Sequence, residues 1–396
     1  MKKCFLYLLM VGGLGACIQS EPLNAEADIM ACKILNAKGS PETNIKGNII
    51  INNAQVLAQA NPSIDLTKLA LEVTLTEGAN ISPDPARVMD YPQKFTVTSE
   101  DGNWHKEYSV IIDTFDLPLR YDFEHYELNE TGKYQVFFEE TQGTALFKQY
   151  IWASGNSGFA LTGVGRNPQE YPTVSIENGI DGSRAIKLET KSTGQFGETV
   201  KMPIAAGNLF LGSFDVNNAV QKPLKATRFG LPFGKKPLQL KGYYKYTPGT
   251  QPFKAKDKNG NTVTIPGQED EGDIYAVLYE AAELDGKALD GNNVLTSENI
   301  VALARVEVEK KDEFTAFHVD FHYGSRIPID WPKFIQDQRD PSDDGTAPYL
   351  AFSEEKMKNY EYNLAVVFTS SKYGAYFAGS VGSTLCIDKV EIVCEK

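Results

Sequence analysis

Short runs in which apolar and polar side chains alternate, each closed by Gly, Pro, Asn or Asp, recur along nearly the whole chain, as in QKFTVTSEDGN, LQLKGYYKY and EFTAFHVDFHY. A period of two puts successive side chains on opposite faces of an extended backbone, so each run can bury one face and wet the other. Helical runs long enough to join parallel strands are missing; Ser353 to Met357 is the kind of short helical piece the pattern allows. Parallel sheets built from strand–helix–strand units are therefore excluded, and antiparallel sheets packed face to face remain. The 19 Tyr, 21 Phe, 33 Gly and 20 Pro suit many strands and many turns. No fixed-period repeat points to a propeller or solenoid. The expected fold class is all-β.

A chain of 396 residues exceeds what one hydrophobic core usually supports. The pattern divides near residue 115. Residues 28–115 hold the runs NIIINNAQVL, LALEVTLTEGANISP, QKFTVTSEDGN and KEYSVII, which predict a small sandwich with Phe95, Val97, Tyr108, Val110 and Ile112 facing inward. Residues 116–396 hold about a dozen further strands joined by long loops, which predicts two antiparallel sheets in a jelly roll.

The stretches GANISP (78–83) and KFTVTSEDGNWHKEYSVII (94–112) resemble the immunoglobulin-like modules of Bacteroidetes surface lipoproteins, and that resemblance implies a spacer or presentation role. In the larger half, WASGNSGFALTG, KMPIAAGNLFLGSFD, PLKATRFGLPFGKKPLQLKGYYKYTPG, DIYAVLYEA, NVLTSENIVALA and GSTLCIDKVEI resemble the putative carbohydrate metabolism domain of Bacteroidetes, PCMD. The resemblance implies a jelly roll related to carbohydrate-binding modules and to some glycoside hydrolases. It supplies no reaction.

At the N-terminus, Lys2 and Lys3 precede the apolar segment from Phe5 to Leu14, which is too short to span a membrane. The ending LGAC resembles a bacterial lipobox, so residues 1–16 are expected to be a signal, Cys17 the lipidated residue and 17–27 a polar tether. The expected location is the cell envelope, as an outer-membrane lipoprotein facing either the periplasm or the outside. A formal net charge of −13 argues against nucleic acid, whose phosphates demand clustered Lys and Arg. Of the remaining cysteines, Cys386 and Cys394 lie on one predicted strand about 26 Å apart, too far for a disulfide. Together with Cys32 they read as buried thiols.

Candidate ligand contacts come from alternation. In LKGYYKY, Leu238, Leu240, Tyr244 and Tyr246 are expected on the core face, leaving Lys241, Tyr243 and Lys245 outward. Tyr243 and Lys245, with Arg228 and Trp152, carry the residue types that stack on sugar rings and bind their hydroxyls; Trp152 equally suits a core. In HVDFH, His318, Asp320 and His322 share one face, which reads as solvated or metal-ligating opposite a row of Phe317, Val319 and Phe321. Asp122 and Glu124 on the first jelly-roll strand and Asp388 on the last supply hard oxygens for a structural calcium. The acidic runs EDEGD (269–273) and DPSDDG (340–345) read as solvated loops.

Hydrolysis of a glycosidic bond generally needs two carboxyls flanking it. The one-strand pattern Glu-x-Asp-x-Glu is missing, and Glu139, Glu140 and Glu280 are the acids left to converge from different strands. The favoured reading is an oligosaccharide- or polysaccharide-binding lipoprotein that works beside glycan-uptake proteins. A glycoside hydrolase using the same pocket, or a structural or adhesive surface protein, are the alternatives.

Overall fold

The structure, a computed structural model, describes residues 23–43, 45–52, 54–60, 64–87, 93–113, 117–140, 148–281, 288–340 and 345–396. Cys17 and the expected leader lie outside the described residues. The fold is all-β, and the α-helices among the described residues are only four to six residues long.

The N-terminal module contains seven strands: β1 (Ile29–Leu35), β2 (Ile45–Asn52), β3 (Gln55–Ala60), β4 (Ala70–Leu75), β5 (Asn80–Ser82), β6 (Gln93–Thr98) and β7 (His105–Asp113). β1 and β4 pair antiparallel, opposite a five-stranded sheet in the order β2-β3-β7-β6-β5 in which β3 runs parallel to β7. The predicted inward row is buried: Phe95, Val97, Tyr108, Val110 and Ile112 form one cluster with Val56 and Leu71. The other face of this sheet is apolar as well. Ile50, Leu57 and Ile111 turn away from that cluster and join the core of the larger domain. Val56 and Val110 are buried on one face of β3 and β7 and Leu57 and Ile111 on the other, so the small module is packed onto the large one rather than strung beside it.

The larger domain is two antiparallel sheets packed face to face. One sheet orders Trp152–Ala153, Asn208–Phe214, Tyr362–Thr369, Asp273–Glu280, Ile300–Val306 and His322–Tyr323, with two short strands added at its margin. The other orders Thr173–Ile176, Ala185–Glu189, Thr384–Cys394, Pro237–Thr247 and Lys311–Asp320, with Arg120–Tyr121 added to Thr384–Cys394. Alternation decides what lies between them. Leu209, Leu211, Ile274, Ala276, Leu364 and Val366 point inward from the first sheet and meet Ile186, Leu188, Leu240, Tyr244, Leu385 and Ile387 from the second. Burying a side chain of this size contributes about 1.5–3 kcal/mol, so this interlayer is the main cohesive element of the chain.

In the strand Pro237–Thr247 the tyrosines divide as the alternation requires. Tyr244 and Tyr246 are buried and Tyr243 lies on the outer face. Leu238 departs from the expectation: it is 40% exposed. The pairing with Thr384–Cys394 slips between Pro237 and Gln239, and this irregularity turns Leu238 out of phase with Leu240. The run EDEGD is a second departure. Asp270 and Asp273 are buried rather than solvated. Asp270 accepts hydrogen bonds from the Ser371 and Ser383 hydroxyls and the Ser380 and Glu271 backbone N–H groups, and burial still pushes its carboxyl up to about 6. In the other acidic run, residues 341–344 lie outside the described residues. Cys32, Cys386 and Cys394 are thiols rather than disulfide sulfurs; Cys386 is buried, which pushes it up to about 11, whereas Cys32 and Cys394 are half-buried.

Candidate functional site

The outer face of the first sheet is not bare. Tyr275, Val277, Tyr279, Phe210, Val367 and Leu303 project from it and form a second apolar cluster. Loops and helical turns fold over part of this face and leave a cleft of about 190 Å³. Its floor is Phe210, Tyr275 and Val367, grading into polar Asn208, Thr369 and Asp273. Its walls come from α1 (Asn156–Ala160), α2 (Gly194–Thr199), the connections at 219–226 and 291–295, the stretch from Trp331 to Arg339, and residues 374–377.

One wall carries Trp331 and Tyr376, with Tyr373 and Phe334 packed behind them. Trp331 lies 6.4 Å from Tyr373 and 6.4 Å from Tyr376, and Phe334 packs edge-on to Tyr373. The Arg339 guanidinium stacks over the Trp331 ring at 4.3 Å. Its fork donates to the Tyr376 hydroxyl at 3.0 Å and to Thr296 Oγ1 at 3.2 Å, which fixes the plane of the stack. At the polar end, Arg305 grips Asp273 through two parallel bonds, Nε to Oδ1 at 2.9 Å and Nη2 to Oδ2 at 2.6 Å. This pair is mostly buried, so each charge depends on the other. Burial, and after it the nearby Glu271 carboxylate, pushes the Tyr373 hydroxyl up to about 12. The cleft therefore combines flat ring surfaces, a planar donor fork and one pre-formed ion pair, the features of a small polar-ligand site.

Residues 122–393 match the family model described as "Putative carbohydrate metabolism domain", PCMD. The chain belongs to the PCMD family. Residues 36–112 match a second model, "SGBP, N-terminal". A solved PCMD-like structure from Bacteroides thetaiotaomicron, described as a "putative glycoside hydrolase", is 40% identical, with 96% of this chain and 99% of that one covered and a TM-score of 0.76. A second, from Bacteroides vulgatus and described in the same words, is 34% identical over 71% of this chain and 100% of that one, with a TM-score of 0.57. No curated protein matches the sequence.

Within the PCMD sandwich the residues singled out from sequence are scattered. Trp152 is 2% exposed and packs against Tyr121, Phe123 and Phe368 in the interlayer, away from the cleft, and borders a separate cavity of about 380 Å³. Arg228 points away from the cleft between Thr227 and Phe229, which line it, and pairs with Asp215 at 2.9 Å. Tyr243 and Lys245 lie on the outer face of the opposite sheet, where Lys245 sits over the Phe314 ring and Lys241 pairs with Glu391. His318, Asp320 and His322 are exposed, Asp320 accepting from Gln239 and His322 bonding Ser325.

The acids are likewise dispersed. Glu139 accepts the Trp152 indole N–H at 2.7 Å, and burial, opposed by that bond, pushes its carboxyl up to about 7. Glu280 is buried and pairs with Lys356 at 2.7 Å. Neither lines the cleft, and Glu140 is exposed. The set Asp122, Glu124 and Asp388 does not fit a calcium ion. Asp388 accepts from the Ile180 N–H, the Ser183 hydroxyl and the Lys389 N–H, so donor hydrogens fill the positions a cation would take. Glu124 accepts the Arg184 N–H. Among the described residues no group of three or more His, Cys, Asp or Glu is placed to hold a metal.

Sequence reasoning missed Trp331, Arg339, Asp273 and Arg305. Asp273 was in view inside EDEGD, and the beginning of an apolar strand directly after it was the available signal that it turns inward. Nothing in the sequence places Trp331 beside residues 373–376.

Proposed function

We propose that the PCMD sandwich binds a carbohydrate in the cleft over the outer face of its first sheet. The observation that carries this reading is the wall of Trp331 and Tyr376, backed by Tyr373, with the Arg339 fork held against it. Sugar rings present apolar C–H faces to aromatic rings and hydroxyls to planar donors, and this wall offers both. The family's description and those of the two Bacteroides relatives support a carbohydrate-related role. The SGBP-like N-terminal module and the lipobox-like LGAC support placing the protein outside the cytoplasm, tethered through a lipid on Cys17, where it would pass glycan to uptake proteins.

A glycan array followed by calorimetry on the best ligand tests the reading. Trp331→Ala is expected to weaken binding by about tenfold or more, equal to about 1.4 kcal/mol. Binding that is unaffected in this variant removes the cleft from the role, and a folded protein that binds no glycan sinks the reading.

Hydrolysis is a second reading, favoured by the description of each of the two Bacteroides relatives as a "putative glycoside hydrolase"; Glu139, whose carboxyl burial pushes up to about 7, is the acid to test, although it does not line the cleft. Product release from an oligosaccharide panel, lost in Glu139→Gln, would support it. Glu280→Gln asks the same question of the carboxylate held by Lys356.

A further inference from the structure

A second groove, of about 620 Å³, opens off the polar end of the cleft, and Asp273 and Lys372 line both. It runs between the approach to the Asp273–Glu280 strand and the segment that leaves Ile300–Val306. A ligand longer than the cleft would extend into it. Carboxylates outnumber cations seven to three in its lining. Two of the cations are held, Arg305 by Asp273 and Lys372 by Glu271 at 2.7 Å, whereas Lys310 is exposed and lies 4.0 Å from Asp312. In the cleft itself, Arg339 is engaged by Tyr376, Thr296 and the Trp331 ring. By contrast Glu269, Glu307 and Asp330 are exposed, line the groove and have no ion-pair partner among the described residues.

We infer that the groove selects uncharged glycan extensions and rejects uronate or sulfated ones. The inference rests on the carbohydrate reading above and deepens it. In the groove, a carboxylate or sulfate on a sugar would have to displace a carboxylate from Arg305 or Lys372 to gain either as a counter-ion, while facing Glu269, Glu307 and Asp330. Concave walls focus the field of those acids, which reaches about 8 Å at physiological salt. A neutral ring loses nothing there, since its hydroxyls donate to carboxylates.

The test presents the full chain with arrayed neutral oligosaccharides, each beside its uronate or sulfated counterpart, at about 50 mM and about 500 mM sodium chloride. Neutral members are expected to bind about tenfold or more tightly than their charged partners at low salt, with the gap narrowing at high salt. Equal or tighter binding of the charged members overturns the inference and leaves the carbohydrate reading standing. Binding of neither kind by the folded protein overturns both. In the doubly substituted Glu269→Lys, Glu307→Lys protein the affinity ratio should move about fivefold or more toward the charged members. An unmoved ratio overturns the groove's part in the selection.

Discussion

Glu139 holds its proton to about pH 7 because burial disfavours the carboxylate, and the Trp152 indole offsets only part of that cost. An unfolded glutamate lets go near pH 4.5. Between these values this residue binds more protons in the folded chain than in the unfolded one, so its contribution to stability is greatest below about pH 4.5 and is lost as pH rises through 7. Glu139→Gln keeps an acceptor for the indole and has no charge to desolvate. Thermal unfolding across this window should show a flatter dependence on pH in the variant, and a slope identical to the parent's would exclude Glu139 as its source. At this scale the sequence was informative wherever a neighbour on the same strand decides the answer. Tyr243 and Tyr244 were separable because adjacent residues must face opposite ways. Trp152 was not, since a core tryptophan and a sugar-stacking one differ only in what lies across the gap.

Strands were legible from their period, and so was α4 (Glu354–Lys358), whose Ser353 cap accepts the Lys356 N–H. Irregular elements were not. Leu238 is turned out by a slip in pairing, and EDEGD is drawn inward by serines about a hundred residues further along; neither cause is local. Gly212 marks another such place. It sits in the Asn208–Phe214 strand with φ +139°, and a Cβ there would lie 2.0 Å from the Arg228 carbonyl oxygen. Only glycine lets the Thr227–Phe229 strand approach so closely. Gly212→Ala is expected to cost about 3 kcal/mol in denaturant unfolding. A loss below half of that would mean the neighbouring strand can retreat.

The sequence pattern changes near residue 115, but the contact across that change was not visible, because an apolar residue on a strand's second face does not name its partner. Ile50, Leu57 and Ile111 seat the small module in the core of the large one, and Lys106 reaches both Asp28 in the module and Glu130 in the sandwich at 2.6 Å. The two should melt together in calorimetry. Leu57→Ala combined with Ile111→Ala removes packing worth about 2–5 kcal/mol per site and is expected to split the single transition into two. One unsplit transition at a lower temperature would show that other contacts suffice to couple them. The cleft has a different consequence. Its floor residues alternate with those that hold the two sheets together, whereas its walls are separate connections that do not. Substitutions in the walls can therefore re-cut the opening without loosening the frame, and chains built on this frame are free to drift apart in what they hold while staying alike in shape.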